Sequence, residues 1–360
     1  MPLPQPHLWI DALPAPKPIP GPHCTAPGDL LLHLGEAWYP PAPAVVETLA
    51  GLANHLPHYP DSLCHGLREA LAGYCGHGVT AEHLLVGNGS DGLIDLLVRA
   101  YAGPDRPVVA PAPTFFVYGH SAALAQAPLL TTGRRGQAEG FGLNLAQLPT
   151  RPSVLFLANP NNPTGDFTPL ATLRALAEAQ PETLLVIDEC YYEFAGETAL
   201  PLLADHPNVV ILRSLSKSFA LAGLRVGYAV AHPEIIATLT KVDQTFSVNV
   251  AAQACALAAL ESLDHYQPLF QRTQELRAQW TKQLTAAGLH VFPSRANILL
   301  CDTRALSPEP LAPRLREQGI YVADFHQRPG VEGCVRVTVG DEAALARVLA
   351  AMSGLIPTAR

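Results

Sequence analysis

No CxxC pair and no zinc-type spacing of cysteine with histidine occurs among the seven cysteines, Cys24, Cys64, Cys75, Cys190, Cys255, Cys301 and Cys334. Their odd number and wide scatter argue against a structural metal and against a disulfide framework. Free thiols in a reducing cytosol are the simpler reading. No apolar run reaches the ~18 residues that a membrane span needs. The P-loop pattern is absent, which disfavours a nucleoside triphosphate. Charge is sparse, at 15% of residues with a net charge of −8. Nucleic acid, which needs a basic face, is therefore not expected as a partner. A small anionic molecule is compatible with that balance, because a pocket can be locally positive inside an acidic protein. Lysine is the scarcest charged residue, with only Lys17, Lys217, Lys241 and Lys282.

Apolar side chains and proline are plentiful instead. Hydrophobic residues make up 48% of the 360, a globular balance in a chain long enough for two closely packed domains. Nine of the 35 prolines fall within residues 1–28, with no continuous apolar stretch among them. That is not the pattern of a signal peptide. It is the pattern of an extended arm, either a free tail or a strap across a neighbour. The expectation is a soluble, cytoplasmic protein.

From about residue 80 to 230, short β-rich runs alternate with helical stretches. The runs are 84–86, 107–110, 154–158, 184–188, 209–212 and 226–230. Near-continuous apolar strands spaced by helices predict a mainly parallel sheet covered on both faces. Ligands in such sheets sit beyond the carboxyl ends of the strands. After about residue 245 the pattern changes to a long helical region and then short strands, which predicts a smaller α+β domain. The division expected is 1–45 for the arm and part of the small domain, 46–245 for the large domain and 246–360 for the rest of the small one. Residues 132–142, rich in glycine and charge, read as an exposed turn.

The polar residues just after each run carry the chemistry. Arg213-Ser214-Leu215-Ser216-Lys217-Ser218-Phe219 places a lysine past a buried strand, among small hydroxyls, with Arg225 close behind. Hydroxyls and a guanidinium are what a phosphate dianion needs. A lysine whose pKa is lowered by burial and cationic neighbours is a competent nucleophile toward a carbonyl. The plainer alternative is a surface lysine in a serine-rich loop. Gly87-Asn88-Gly89-Ser90-Asp91 joins a strand to a helix, where free N–H groups can hold an anion; Ser90 as a helix N-cap explains it equally well. Asn159-Pro160-Asn161-Asn162-Pro163-Thr164-Gly165 is a rigid turn whose amides can donate to a phenolate, or simply a stiff loop. Asp188 ends a buried strand, where a carboxylate must be paired by a cation or act as a cap. Tyr191 follows three residues later. Phe115 has either a stacking or a core role.

In this order the segments resemble the fold-type I pyridoxal-phosphate aminotransferases, and within them the histidinol-phosphate aminotransferase family. The resemblance runs from about residue 59 to 340. It includes Tyr59-Pro60-Asp61, Pro113-Thr114-Phe115, Asp188-Glu189-Cys190-Tyr191 and Cys334-Val335-Arg336-Val337-Thr338-Val339-Gly340. It implies an α/β fold whose large domain binds pyridoxal 5'-phosphate as a Schiff base on Lys217, which also shuttles the proton. By the same resemblance Asp188 pairs the pyridine nitrogen, while Asn162 and Tyr191 face the ring oxygen. Phe115 stacks on the ring. Ser90, Asp91, Ser214, Ser216 and Arg225 hold the phosphate, joined by Tyr59 from the partner of a homodimer. Arg336, with Asn162 and Tyr39, meets the substrate. The implied reaction is ping-pong transfer from an amino donor to a 2-oxo acid, histidinol phosphate and 2-oxoglutarate in histidine biosynthesis.

Two departures bear on the substrate. Gly35-Glu36-Ala37-Trp38-Tyr39 keeps the family's glutamate near the substrate pocket but not its flanking asparagines. Ala323 stands where the family usually has a second arginine for the substrate phosphate. An aromatic amino-acid aminotransferase suits Ala323, Trp38 and Tyr39, and a threonine-phosphate decarboxylase-like lyase uses nearly the same frame. A non-enzymatic regulator is disfavoured, since no spare DNA-binding segment exists.

Overall fold

Apolar runs in the middle of the chain become a seven-stranded sheet in the computed structural model, which describes residues 5, 7–15, 18–21, 25–306 and 309–353. Cys24 and Lys17 lie outside them. A short strand near the start, β1 (Leu30–Leu32), joins a second sheet. The large sheet holds β2 (Leu84–Asn88), β3 (Val108–Val109), β4 (Leu129–Leu130), β5 (Val154–Ala158), β6 (Leu184–Asp188), β7 (Val209–Ser214) and β8 (Val226–Ala231). Its order is β2-β8-β7-β6-β5-β3-β4.

Every residue of β5, β6, β7 and β8 is buried. Alternation explains how. Leu155, Leu157, Leu185, Ile187, Val209 and Ile211 enter one core, and Val154, Phe156, Leu184, Val186, Val210 and Leu212 enter another on the opposite face. Successive strand side chains point to opposite faces, so an unbroken apolar run serves two cores at once. Each such side chain contributes about 1.5–3 kcal/mol on burial. Four of the six strand pairings are parallel, and β8 runs antiparallel to both β2 and β7. The reason is local. Residues 215–225 hold only a 3₁₀ turn, Ala222–Leu224, and no crossover helix, which parallel neighbours would require.

The second sheet has the order β1-β11-β12-β10-β9, with β9 (His290–Val291), β10 (Ile298–Asp302), β11 (Ile320–Phe325) and β12 (Cys334–Thr338). Only the β1–β11 pair is parallel. The helix Leu263–Ala286 backs it with Leu276, Trp280 and Leu284. The indole of Trp280 donates to Gly340 O at 3.0 Å, so its one polar atom is satisfied in the core.

The expected turn at 132–142 is exposed over most of its length, but two of its side chains anchor it in the interior. Arg134 is buried, pairs with Asp166 at 2.6 Å and donates to Phe141 O at 2.9 Å, while Phe141 packs on Phe292 in a small core of its own. A guanidinium with that many acceptors can be buried, which a count of charged residues does not reveal.

Candidate active site

A cavity of about 1440 Å³ opens where β5, β6 and β7 end and β11 and β12 face them. It exceeds the usual few hundred to 1,000 Å³ of a single-ligand site, leaving room for a cofactor and a substrate together. Lys217, Asp188, Tyr191, Ser90, Asp91, Phe115, Asn162, Ser214, Ser216, Arg225 and Arg336 all line it.

Lys217 follows the end of β7, and its Nζ donates to Leu34 O at 2.6 Å. Burial, and then the Arg336 guanidinium, bring its pKa down to about 8. An amine that gives up its proton near pH 8 instead of above 10 becomes a nucleophile at mildly alkaline pH. The lysine loop is braced from behind: the Tyr39 hydroxyl donates to Ser218 O at 2.7 Å. Tyr39 is therefore a core residue that does not reach the cavity. Its neighbour Trp38 donates to Thr273 Oγ1 at 3.0 Å, also away from it.

Asp188 is the last residue of β6 and is buried. Its Oδ2 accepts from the Tyr118 hydroxyl at 2.6 Å and its Oδ1 from Cys190 N at 3.1 Å. Burial raises its pKa against the pull of those donors. The turn-capping reading of this residue is met by Cys190 N, and no cation pairs with it among the described residues. Tyr118, fully buried and stacked on Phe156 with ring centroids 4.7 Å apart, is a site residue that the sequence reading missed. Its only sequence signal is that a buried acid needs a donor.

Glycines set the anion end. A Cβ on Gly227 of β8 would lie 2.5 Å from Ser90 N and 2.6 Å from Gly89 C, so no side chain fits there. The helix Gly89–Tyr101 can therefore start directly beside β8, with Ser90 in its first turn and not at its cap, which is Asn88. Arg225, in the left-handed region at φ 56°, pairs with Asp91 at 3.0 Å. Ser214 Oγ accepts from Ser216 N at 3.1 Å. Ser216 Oγ is buried without a hydrogen-bond partner among the described residues. An orphaned hydroxyl beside a helix N-terminus and a guanidinium fits a phosphate group.

Arg336 sits on β12 and is buried. Its Nη1 donates to Asn162 Oδ1 and its Nη2 to His33 O. Using Oδ1 this way leaves the Asn162 amide N–H groups for another acceptor. The Asn162 loop is held by Asn161, which accepts from Thr114 Oγ1 at 2.9 Å and donates to Pro113 O at 2.9 Å. Tyr191 is buried, which raises its pKa. Tyr59 stands apart, 82% exposed and stacked on Phe246 at 4.6 Å.

Comparison with known proteins gives the chain's family. Residues 29–352 match the family described as aminotransferase class I and II. A histidinol-phosphate aminotransferase of Roseiflexus castenholzii is 39% identical over 86% of this chain and 85% of its own length. Histidinol-phosphate aminotransferase 1 of Bradyrhizobium diazoefficiens is 35% identical over 94% and 96%. The solved histidinol-phosphate aminotransferase of Sinorhizobium meliloti in complex with pyridoxal-5'-phosphate superposes with a TM-score of 0.84 at 26% identity, covering 97% of this chain and 96% of that one.

Proposed function

The chain belongs to the aminotransferase class I and II family and is a pyridoxal-phosphate-dependent aminotransferase; from that premise we propose that it moves the amino group of histidinol phosphate to 2-oxoglutarate. One observation carries the reading. A depressed-pKa lysine and a buried arginine line one cavity, each donating to a neighbouring backbone carbonyl, Leu34 O and His33 O. A reacting amine and an anchor for an acid group thus lie within the span of one small substrate.

Pyridoxal phosphate, when bound, supplies a sink for the electrons left as the donor loses its Cα proton. In this reading Lys217 holds the cofactor, takes that proton on Nζ and returns it. Asp188 would hold the cofactor's ring nitrogen through its carboxylate, which Tyr118 and Cys190 N keep oriented. The free amide N–H of Asn162 and the Tyr191 hydroxyl would hold the cofactor's ring oxygen, and Phe115 would help hold its ring. Ser90 and Asp91 backbone N–H groups, Ser214, Ser216 and Arg225 hold the phosphate. Arg336 takes the acid end of each substrate in turn, so the first product leaves before the acceptor binds.

The exposed Tyr59 is assigned to the neighbouring site of a homodimer. Exposed Val46, Leu49, Leu56, Leu63 and Phe116 support a buried subunit face. The free state of the six described cysteines supports a cytoplasmic setting. The deciding assay measures glutamate formed from 2-oxoglutarate with histidinol phosphate or phenylalanine as donor. Histidinol phosphate should be favoured at least about tenfold in kcat/KM, the worth of one charge-assisted contact. Turnover of phenylalanine alone overturns the substrate, and release of carbon dioxide overturns the reaction.

A further inference from the structure

Arg336 has no arginine opposite it. Its β-bridge partner on β11 is Ala323, and both line the cavity. The loop of residues 326–333, between β11 and β12, brings another guanidinium to the same wall. Arg328 N bonds Phe325 O at 3.0 Å and Val331 N bonds Arg328 O at 3.1 Å, a tight turn that aims the side chain at the large sheet. There Arg328 Nη2 donates to Thr114 O at 2.9 Å. Gly330 lies against the Pro113 ring, where an added Cβ would be 3.4 Å from Cδ.

The two arginines share their surroundings. Arg328 Cζ lies 4.9 Å and Arg336 Cζ 5.7 Å from the centroid of the Phe325 ring. Thr114, which anchors Arg328 by its carbonyl, also bonds Asn161 by its hydroxyl, next to the Asn162 that meets Arg336. Among the described residues neither arginine has a carboxylate within ion-pair distance. Arg225 differs, since it is paired with Asp91. Two guanidiniums facing one cavity with no acid paired to either are costly in a protein wall unless a ligand brings the charge.

Resting on the substrate reading above, the geometry points to Arg328 as the second cation of the substrate's anion seat, supplied by the β11–β12 loop in place of position 323. The seat takes a dianionic group, a phosphate ester, with one fork from β12 and one from the loop. Burial and the nearby Arg336 lower the pKa of Arg328, as expected where two like charges await a common counter-charge.

The test compares the wild-type holoenzyme with R328Q and R328K, using histidinol phosphate and glutamate as donors and inorganic phosphate as a competitor of glutamate. R328Q should raise the KM for histidinol phosphate and the inhibition constant of phosphate about 10- to 100-fold, the scale of one charge-assisted hydrogen bond. Its kcat should stay within about twofold and its glutamate KM within about threefold, because uniform binding alone is lost. R328K, which keeps the charge, should recover part of both losses. Unchanged phosphate inhibition in R328Q, or parallel KM rises for both donors, overturns the assignment. A wild-type enzyme that uses glutamate and not histidinol phosphate overturns the substrate reading instead, and the phosphate arm still decides on Arg328.

Discussion

Lys217 sets the pH range of the site. Only a neutral amine attacks a carbonyl. With its pKa lowered to about 8 by burial and by Arg336, the neutral form becomes the majority as pH rises through that value. An ordinary lysine stays protonated to beyond pH 10. Cofactor-free protein should therefore take up pyridoxal phosphate at a rate that climbs with pH and levels off about one unit above 8. Stopped-flow absorbance reads this directly, and a rate still climbing past pH 10 contradicts the assignment. Asp188→Asn should keep the cofactor and slow turnover at least about a hundredfold, the scale of losing one preorganised electrostatic partner. Tyr118→Phe removes only the 2.6 Å donor to Asp188, so its effect on kcat should be smaller, about tenfold. A tyrosine variant as slow as the asparagine variant would mean that the hydroxyl, not the carboxylate, is decisive. Sequence alone pointed to Lys217 and Asp188 because a lysine or an acid after a buried strand needs a reason. It did not reach Tyr118, whose partner lies 70 residues away. It placed Tyr39 toward the substrate because an aromatic near a pocket motif has no sequence mark separating core from lining.

At the scale of elements, the strands were legible where the apolar run was unbroken. Val154–Ala158 and Leu184–Asp188 match the sequence reading to the residue, because both faces of those strands are buried and no polar residue interrupts them. The direction of β8 was not legible. Direction depends on the connection between β7 and β8, and a serine-rich loop carries no period that reveals a missing crossover. The same strand carries a sharp test of the phosphate end. A methyl at Gly227 would push the start of the helix Gly89–Tyr101 away, since the clash is with backbone atoms. Gly227→Ala should cost about 1–3 kcal/mol of stability, as overpacking does, and raise the dissociation constant for pyridoxal phosphate more than tenfold. Thermal melts and cofactor titration separate the two effects. Stability lost with cofactor affinity kept would place the phosphate elsewhere.

On the scale of the whole molecule, a site assigned one tyrosine from a second subunit has a genetic signature. Tyr59 is 82% exposed and does not line its own chain's cavity. Tyr59→Ala and Lys217→Ala subunits, each inactive or weak alone, should complement when co-expressed. The mixed dimer has one site with both an intact Lys217 and an intact Tyr59. Random pairing makes half the dimers mixed, so about a quarter of the wild-type activity should return, as a two-fold symmetric dimer requires. Activity no higher than the sum of the two variants would assign each site to a single chain.

The carbonyls that hold Lys217 and Arg336 belong to neighbouring residues, Leu34 and His33. One peptide unit, planar and nearly inextensible, therefore acts as a gauge block between the amine and the acid anchor. Side chains around the cavity can drift and change the flavour of what is admitted. An insertion or a deletion at residues 33–34 would shift the resting places of both cations together, whereas a substitution there leaves both carbonyls where they are.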